Sequence, residues 1–280
     1  MHVNGVRLCY FERGEKQRDK PTLFFVHATG FHGRVWDYHA EAFEGYHIIA
    51  LEQRGHGRSD PVPVTHWRTF GEDQAAVIGA LGLDNLIGIG HSMGAHAMIE
   101  AAAATGAFRA LILLDPVVAA REDYLEPPLW PEGEMHPAAR RRSSFDSPEE
   151  MMQRLGDKSS FPLFEPRIFR DYCTYALERS GERYELLCRP EVEAAVYMSA
   201  RSNGGVYDSA ARVDVPVTVV RAQTGEPGDI LNFANSPTSP ELYQAFPQGR
   251  ELHWHDCTHF VPMERPDQVI QLIRQAISAL

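Results

Sequence analysis

The chain has 280 residues, 44% of them hydrophobic and 23% charged, with a formal net charge of −11. That is enough apolar material for one large core carrying an insertion, or for two smaller domains. The negative balance argues against nucleic acid or an anionic membrane surface as a partner. Cys9, Cys173, Cys188 and Cys257 form no C-x-x-C pair and no metal-ligand spacing, so free thiols in a reducing compartment are expected. The opening Met1-His2-Val3-Asn4-Gly5 is neither a basic nor an apolar leader. No apolar run reaches the length of a membrane span, and the expectation is a cytoplasmic protein.

In chain order, Val6 to Glu12 reads as a strand and Gly14 to Lys20 as a charged turn. Thr22 to Val26 reads as a buried strand ending in His27-Ala28-Thr29-Gly30, and Val35 to Phe43 has helical spacing. Tyr46 to Leu51 is a second apolar strand, followed by the glycine-rich loop Gln53 to Asp60. His66 to Leu81 is an amphipathic helix closed by Gly82. Asn85 to Ile89 is a buried strand, Ala95 to Ala104 a run of helix formers, and Ala110 to Leu114 a strand ending at Asp115-Pro116.

From about Val117 to Arg212 the rhythm changes. Prolines cluster at Pro127, Pro128, Pro131 and Pro137, strand-like runs vanish, and helices are expected near Pro148 to Leu155, Pro166 to Glu178 and Pro190 to Ala200. Strands resume at Pro216 to Arg221 and Glu251 to His255, before a last helix from about Asp267 to Leu280. Alternating strands and helices predict an α/β fold: a mostly parallel, twisted sheet with helices on both faces. Residues 1–116 and 213–280 form its core, and 117–212 are an inserted helical lid.

The chain is organised around Gly90-His91-Ser92-Met93-Gly94, a G-x-S-x-G element between a strand and a helix. That context puts the serine on a strained turn with its hydroxyl exposed above the sheet edge. Small residues two before and two after it let strand and helix backbones pack closely. The helix N-terminus favours negative charge developing at a reacting carbonyl.

The sequence resembles the α/β-hydrolase superfamily over nearly its whole length, on four motifs in order. His27-Ala28-Thr29-Gly30 with Trp36 is similar to the oxyanion loop after the third strand. Arg54-Gly55-His56-Gly57-Arg58-Ser59 is similar to the loop after the fourth, Gly90 to Gly94 to the elbow, and Thr258-His259-Phe260 to the histidine loop after the last strand. One departure is Ala28, where the family usually has glycine.

The resemblance implies that Ser92 is a nucleophile and His259 its base, with main-chain N–H groups of Met93 and Thr29 holding the oxyanion. It leaves the acid open. Asp115 directly follows the sixth strand, whereas Glu226 and Asp229 lie in the loop after the seventh, with Gly225 at the usual aspartate position.

The activity implied is a serine hydrolase cleaving a small carboxylic ester or lactone through an acyl-enzyme on Ser92, with no cofactor and no metal. A C–C bond hydrolase acting beside a ketone, with Arg140-Arg141-Arg142 holding an acid group, is the alternative within the fold. A ligand-binding receptor with negligible turnover is the alternative outside it. The expected partner is a small-molecule substrate, and a homodimer stays open. His91 and Met93 flank the serine and are candidates to line the pocket. Trp130, Phe145, Phe161, Phe164, Tyr172 and Tyr175 are candidates to line an acyl pocket, although most are more simply the lid's own small core, and His253 with His255 is a weak metal-ligand pair.

Overall fold

The computed structural model describes residues 1–126, 130, 133–224 and 233–280. Among these residues seven strands build the central sheet: β1 (Tyr10–Arg13), β2 (Thr22–Val26), β3 (Ile48–Leu51), β4 (Leu86–His91), β5 (Phe108–Leu114), β6 (Val217–Arg221) and β7 (Gly249–His253). Their order across the sheet is β7-β6-β5-β4-β2-β3-β1, with β1 antiparallel to β3 and every other pair parallel. Every residue of β2, β3, β4 and β6 is buried, as a parallel strand covered on both faces requires. One apolar cluster packs Phe25, Ile87 and Leu114 with Trp36 and the final helix Pro266–Ser278. Another packs Phe24, Leu86 and Leu113 with the helices Arg68–Ala80 and Met93–Thr105.

The chain leaves β2 for β3 on one side and returns to β4 on the other, so the strand order reverses at the β2–β4 boundary. Open parallel sheets bind ligands at such a point, beyond the carboxyl ends of the strands. Register brings those ends level: Val26 pairs with Gly90, His91 with Leu114, and Leu114 with Val220. The loops that begin at residues 27, 92, 115 and 222 therefore leave from one edge.

Among its described residues, the segment between β5 and β6 adds no strand to this sheet. It carries the expected helices, at Pro148–Leu155, Pro166–Tyr175 and Pro190–Met198. Two expectations need correction. The segment is not purely helical: Ser144–Phe145, Arg183–Leu186 and Leu177–Ser180 form a small antiparallel sheet, strands too short and too charged to register as apolar runs. Nor do Phe145, Phe164 and Tyr172 form a separate core, because they join the cluster that holds Phe25 and Trp36. Packing on the main body resumes by the short helix Val206–Ala210, whose Val206, Tyr207 and Ala210 join the other cluster before residue 212 is reached. Among the described residues no helix is long and apolar enough to cross a membrane.

Burial pushes the imidazole pKa of His32 and His39 down to about 3, and that of His56 and His96 down to about 4. These values lie below that of an unfolded histidine, so between about pH 6.5 and these pKa values only the unfolded chain takes up the protons. Stability is therefore complete above about pH 6.5 and falls as the pH drops towards 4, by up to about 1.4 kcal/mol per pH unit for each such histidine. His39→Leu is expected to flatten the urea-unfolding profile between pH 6.5 and 4 relative to wild type. An unchanged slope would show that His39 is not held neutral.

Candidate active site

The elbow is built by two close approaches. A Cβ on Gly90 would lie 2.6 Å from the Ala95 Cα, and one on Gly94 would lie 2.5 Å from the His27 carbonyl oxygen and 2.7 Å from that of Val26. Between them Ser92 takes φ 58° and ψ −121°, a strained conformation for a residue with a side chain. Its N–H donates to the Leu114 carbonyl, and its own carbonyl accepts from Ala95, His96 and Val117. The serine is thereby fixed to β5 as well as to its helix.

Ser92 Oγ lies 2.9 Å from His259 Nε2, and His259 Nδ1 lies 2.7 Å from Asp115 Oδ2. All three residues are buried. Asp115, with φ 45°, stands at the end of β5. Its second oxygen, Oδ1, accepts from the Ala222 N–H at 2.9 Å and from the Ser236 hydroxyl at 2.5 Å. Thr238 Oγ1 is 3.2 Å from that same oxygen, and its single proton is better directed at the Pro116 carbonyl, 2.7 Å away. A carboxylate with both oxygens accepting is held as an acceptor, and His259 Nδ1 must then carry the proton, leaving Nε2 free to accept one from Ser92.

Of the three acid candidates, the structure brings Asp115 to the histidine. Glu226 and Asp229 lie outside the described residues. Ser236 and Thr238 were not singled out from the sequence. The only trace of them there is a run of small polar residues, Asn235 to Ser239, interrupted by Pro237.

The loop after β2 is held by His27. Gln53 donates its N–H to His27 Nε2 at 3.1 Å, so the ring proton sits on Nδ1 and is given to the Ala28 carbonyl at 2.8 Å. Complete burial depresses the His27 pKa well below its usual value and keeps the ring neutral. The Gln53 side chain also donates to the His27 carbonyl. Among the described residues, the N–H groups of Thr29 and Met93 make no hydrogen bond to the protein. Buried main-chain donors left open beside a serine hydroxyl are a ready-made place for an oxyanion. His91 does not open onto the cavity: its Nε2 lies 2.8 Å from the His259 carbonyl, bracing the loop that carries His259, and burial again holds its pKa well below the usual value. His96 is bonded through Nδ1 to the Val117 carbonyl and lies 3.1 Å from the Asn203 amide.

A cavity of about 60 Å³ opens at Ser92 and His259. Thr29, Trp67, Val117, Tyr197 and Phe233 are among its walls, mostly apolar, with Arg201 and Asn235 as further polar groups. None of the lid aromatics proposed from the sequence lines it. Nor do Arg140, Arg141 and Arg142. Arg141 is consumed in a partly buried ion pair with Glu193, and Arg142 pairs with Glu150 at 2.9 Å. Among the described residues no group of three or more His, Cys, Asp or Glu is placed to hold a metal ion.

The sequence model of a family described as the alpha/beta hydrolase family matches residues 23–272. The chain belongs to the alpha/beta hydrolase family. It is 32% identical over 146 residues to a bifunctional esterase/perhydrolase of Acinetobacter calcoaceticus, a match that spans 51% of this chain and only 50% of that protein. It is 21% identical to 3-oxoadipate enol-lactonase 1 of Acinetobacter baylyi, over 93% of this chain and 90% of the relative. Among solved structures it superposes on E-2-(acetamidomethylene)succinate hydrolase with a TM-score of 0.74 at 18% identity, covering 98% of this chain and 96% of the other. That identity speaks for the fold alone.

The tightness of the elbow has a measurable consequence. Gly94→Ala forces a methyl group into the His27 carbonyl, which is backbone and cannot turn aside. The substitution is expected to lower the unfolding free energy by about 1–3 kcal/mol, read from the urea midpoint. A variant as stable as wild type would show that this contact is looser than described.

Proposed function

We propose that the protein is a serine hydrolase that cleaves a small carboxylic ester or lactone through an acyl-enzyme on Ser92. The observation that carries this reading is the continuous hydrogen-bonded line from Ser92 through His259 to Asp115, ending at a cavity. A serine hydroxyl is a weak nucleophile until a base takes its proton. In this reading His259 Nε2 takes it as Oγ attacks the carbonyl carbon, and Asp115 stabilises the imidazolium that forms. The N–H groups of Met93 and Thr29 hold the tetrahedral oxyanion. Collapse expels the alcohol, protonated by His259. Water, deprotonated by the same imidazole, then releases the acid. A lactone differs only in that the alcohol stays tethered to the acyl chain.

The relatives named esterase/perhydrolase and enol-lactonase support an ester or lactone as the substrate class. The segment between β5 and β6 acts in this reading as a lid, and its Tyr197 and Ala200 wall the cavity beside the serine. The arginines that motivated C–C bond cleavage, Arg140 to Arg142, are absent from the cavity wall, so nothing specific favours that chemistry.

A fluorophosphonate probe and a panel of short-chain p-nitrophenyl esters test the proposal. Wild type is expected to be labelled on Ser92 and to turn over the esters, and Ser92→Ala to do neither. Asp115→Asn should retain the fold yet lower kcat by roughly 10³-fold to 10⁴-fold, because the amide no longer fixes the imidazole tautomer. Ligand binding without labelling or turnover in wild type would favour the receptor instead. Near-wild-type turnover in Asp115→Asn would remove Asp115 from the mechanism.

A further inference from the structure

One charged side chain reaches the cavity without an evident structural duty. Arg201 follows the helix Pro190–Met198 and borders the space at Ser92 and His259. It also borders the neighbouring open groove lined by Val64, Met135 and Met198, so one guanidinium stands where the cavity meets the surface. Its Nε is buried and has no hydrogen-bond partner. Among the described residues no acceptor takes any of its side-chain protons, and its one ion pair is with Asp123 at 4.0 Å, beyond hydrogen-bonding distance. The Arg201 side chain is only 18% exposed. A guanidinium offers five N–H donors in a planar fork, and leaving buried donors open is costly, so such a group is normally found matched to an acceptor.

Two arginines of the same segment are so matched: Arg141 on Glu193 and Arg142 on Glu150. Asn235 lines the same cavity, and its side-chain amide likewise makes no hydrogen bond among the described residues. The remaining walls, such as Trp67, Val117 and Phe233, offer no anion of their own. A planar anion presenting two oxygens is what a free guanidinium fork accepts best.

We infer that Arg201, assisted by Asn235, binds a carboxylate on the substrate, so that the preferred substrates are short monoacid esters or lactones whose free carboxylate lies a few bonds from the scissile carbonyl. The inference rests on the ester- or lactone-hydrolase reading and narrows its substrate class. Arg201 acts as a specificity determinant and takes no part in bond cleavage. Its charge offsets, at this one point, the repulsion an anion meets from a chain of net charge −11.

The test compares monomethyl succinate, glutarate and adipate with neutral methyl esters of the same shape, in which an isopropyl group replaces the carboxylate, using pH-stat rates. Wild type should prefer at least one monoacid ester over its neutral counterpart. Arg201→Gln should lower that ratio of kcat/KM values by about tenfold or more, and Arg201→Lys by less, because it keeps the charge but loses the fork. A structural role would lower both rates together and leave the ratio unmoved, which would overturn the inference, as would a wild type indifferent to the carboxylate. Binding of succinate, glutarate and adipate, followed by calorimetry, gives a readout independent of turnover. Binding by wild type that Arg201→Gln abolishes, in a variant with an unchanged near-ultraviolet spectrum, supports the carboxylate site even if no ester is cleaved. In that case only the hydrolase reading fails. No diacid binding together with no ester preference removes the site.

Discussion

The site depends on a backbone that is not free to relax. Ser92 holds a positive φ because glycines on both sides let strand and helix close to distances that any Cβ would forbid. Strain of this kind persists only where the surroundings over-determine it. Here they do so from three directions: the Leu114 carbonyl receives the Ser92 N–H, the following helix caps on the Ser92 carbonyl, and the His27 carbonyl presses against Gly94. That last contact also sets the spacing between the elbow and the loop bearing Thr29. Two open N–H donors from distant parts of the chain are therefore spaced by a backbone contact, with the Gln53–His27 hydrogen bonds holding the loop on one side.

A second constraint is the placement of the carboxylate. Asp115 stands at the end of β5, next to the strand that carries the serine, and its N–H is fixed by the Val220 carbonyl of β6. The loop after β6 then folds back so that Ser236 and the Ala222 N–H donate to Oδ1. A carboxylate at this position is buried by the sheet itself, and the further hydrogen bonds to its Oδ1 come from the loop after β6. The positive φ of Asp115 parallels that of Ser92: both residues turn the chain sharply at a strand end so that the side chain faces along the edge.

The sheet, the elbow and the histidine loop were legible because each rests on a local signal: an apolar run, glycines at fixed offsets, a histidine just after the last strand. The carboxylate that meets His259 was not, since placing Asp115 there needs the distance across the sheet edge, which no local pattern encodes. The segment between β5 and β6 was read too simply for a related reason. Ser144–Phe145, Leu177–Ser180 and Arg183–Leu186 lack the alternation of a half-buried strand, and pairing among themselves is what makes them strands. Phe145 and Tyr172 gave aromatic content but not a destination, and they went to the main core.

The arginines show most clearly where composition stops being informative. Arg140-Arg141-Arg142 is the conspicuous cluster in sequence, yet a run of like charges says nothing about which carboxylates face it after folding. Glu193 and Glu150 face Arg141 and Arg142, and those two are spent on holding their own segment together. Glu193 also crowds Gly30, where a Cβ would lie 2.7 Å from its Oε1, so that ion pair abuts the loop of Thr29. Arg201 stands alone in sequence between Ala200 and Ser202, with nothing to mark it. What distinguishes it is a buried Nε with no acceptor and only a distant ion pair, to Asp123, properties of the packed molecule. In a cavity with mostly apolar walls, an unmatched cation weighs more in selecting ligands than several matched ones nearby, because only the unmatched donors gain a hydrogen bond when the ligand arrives.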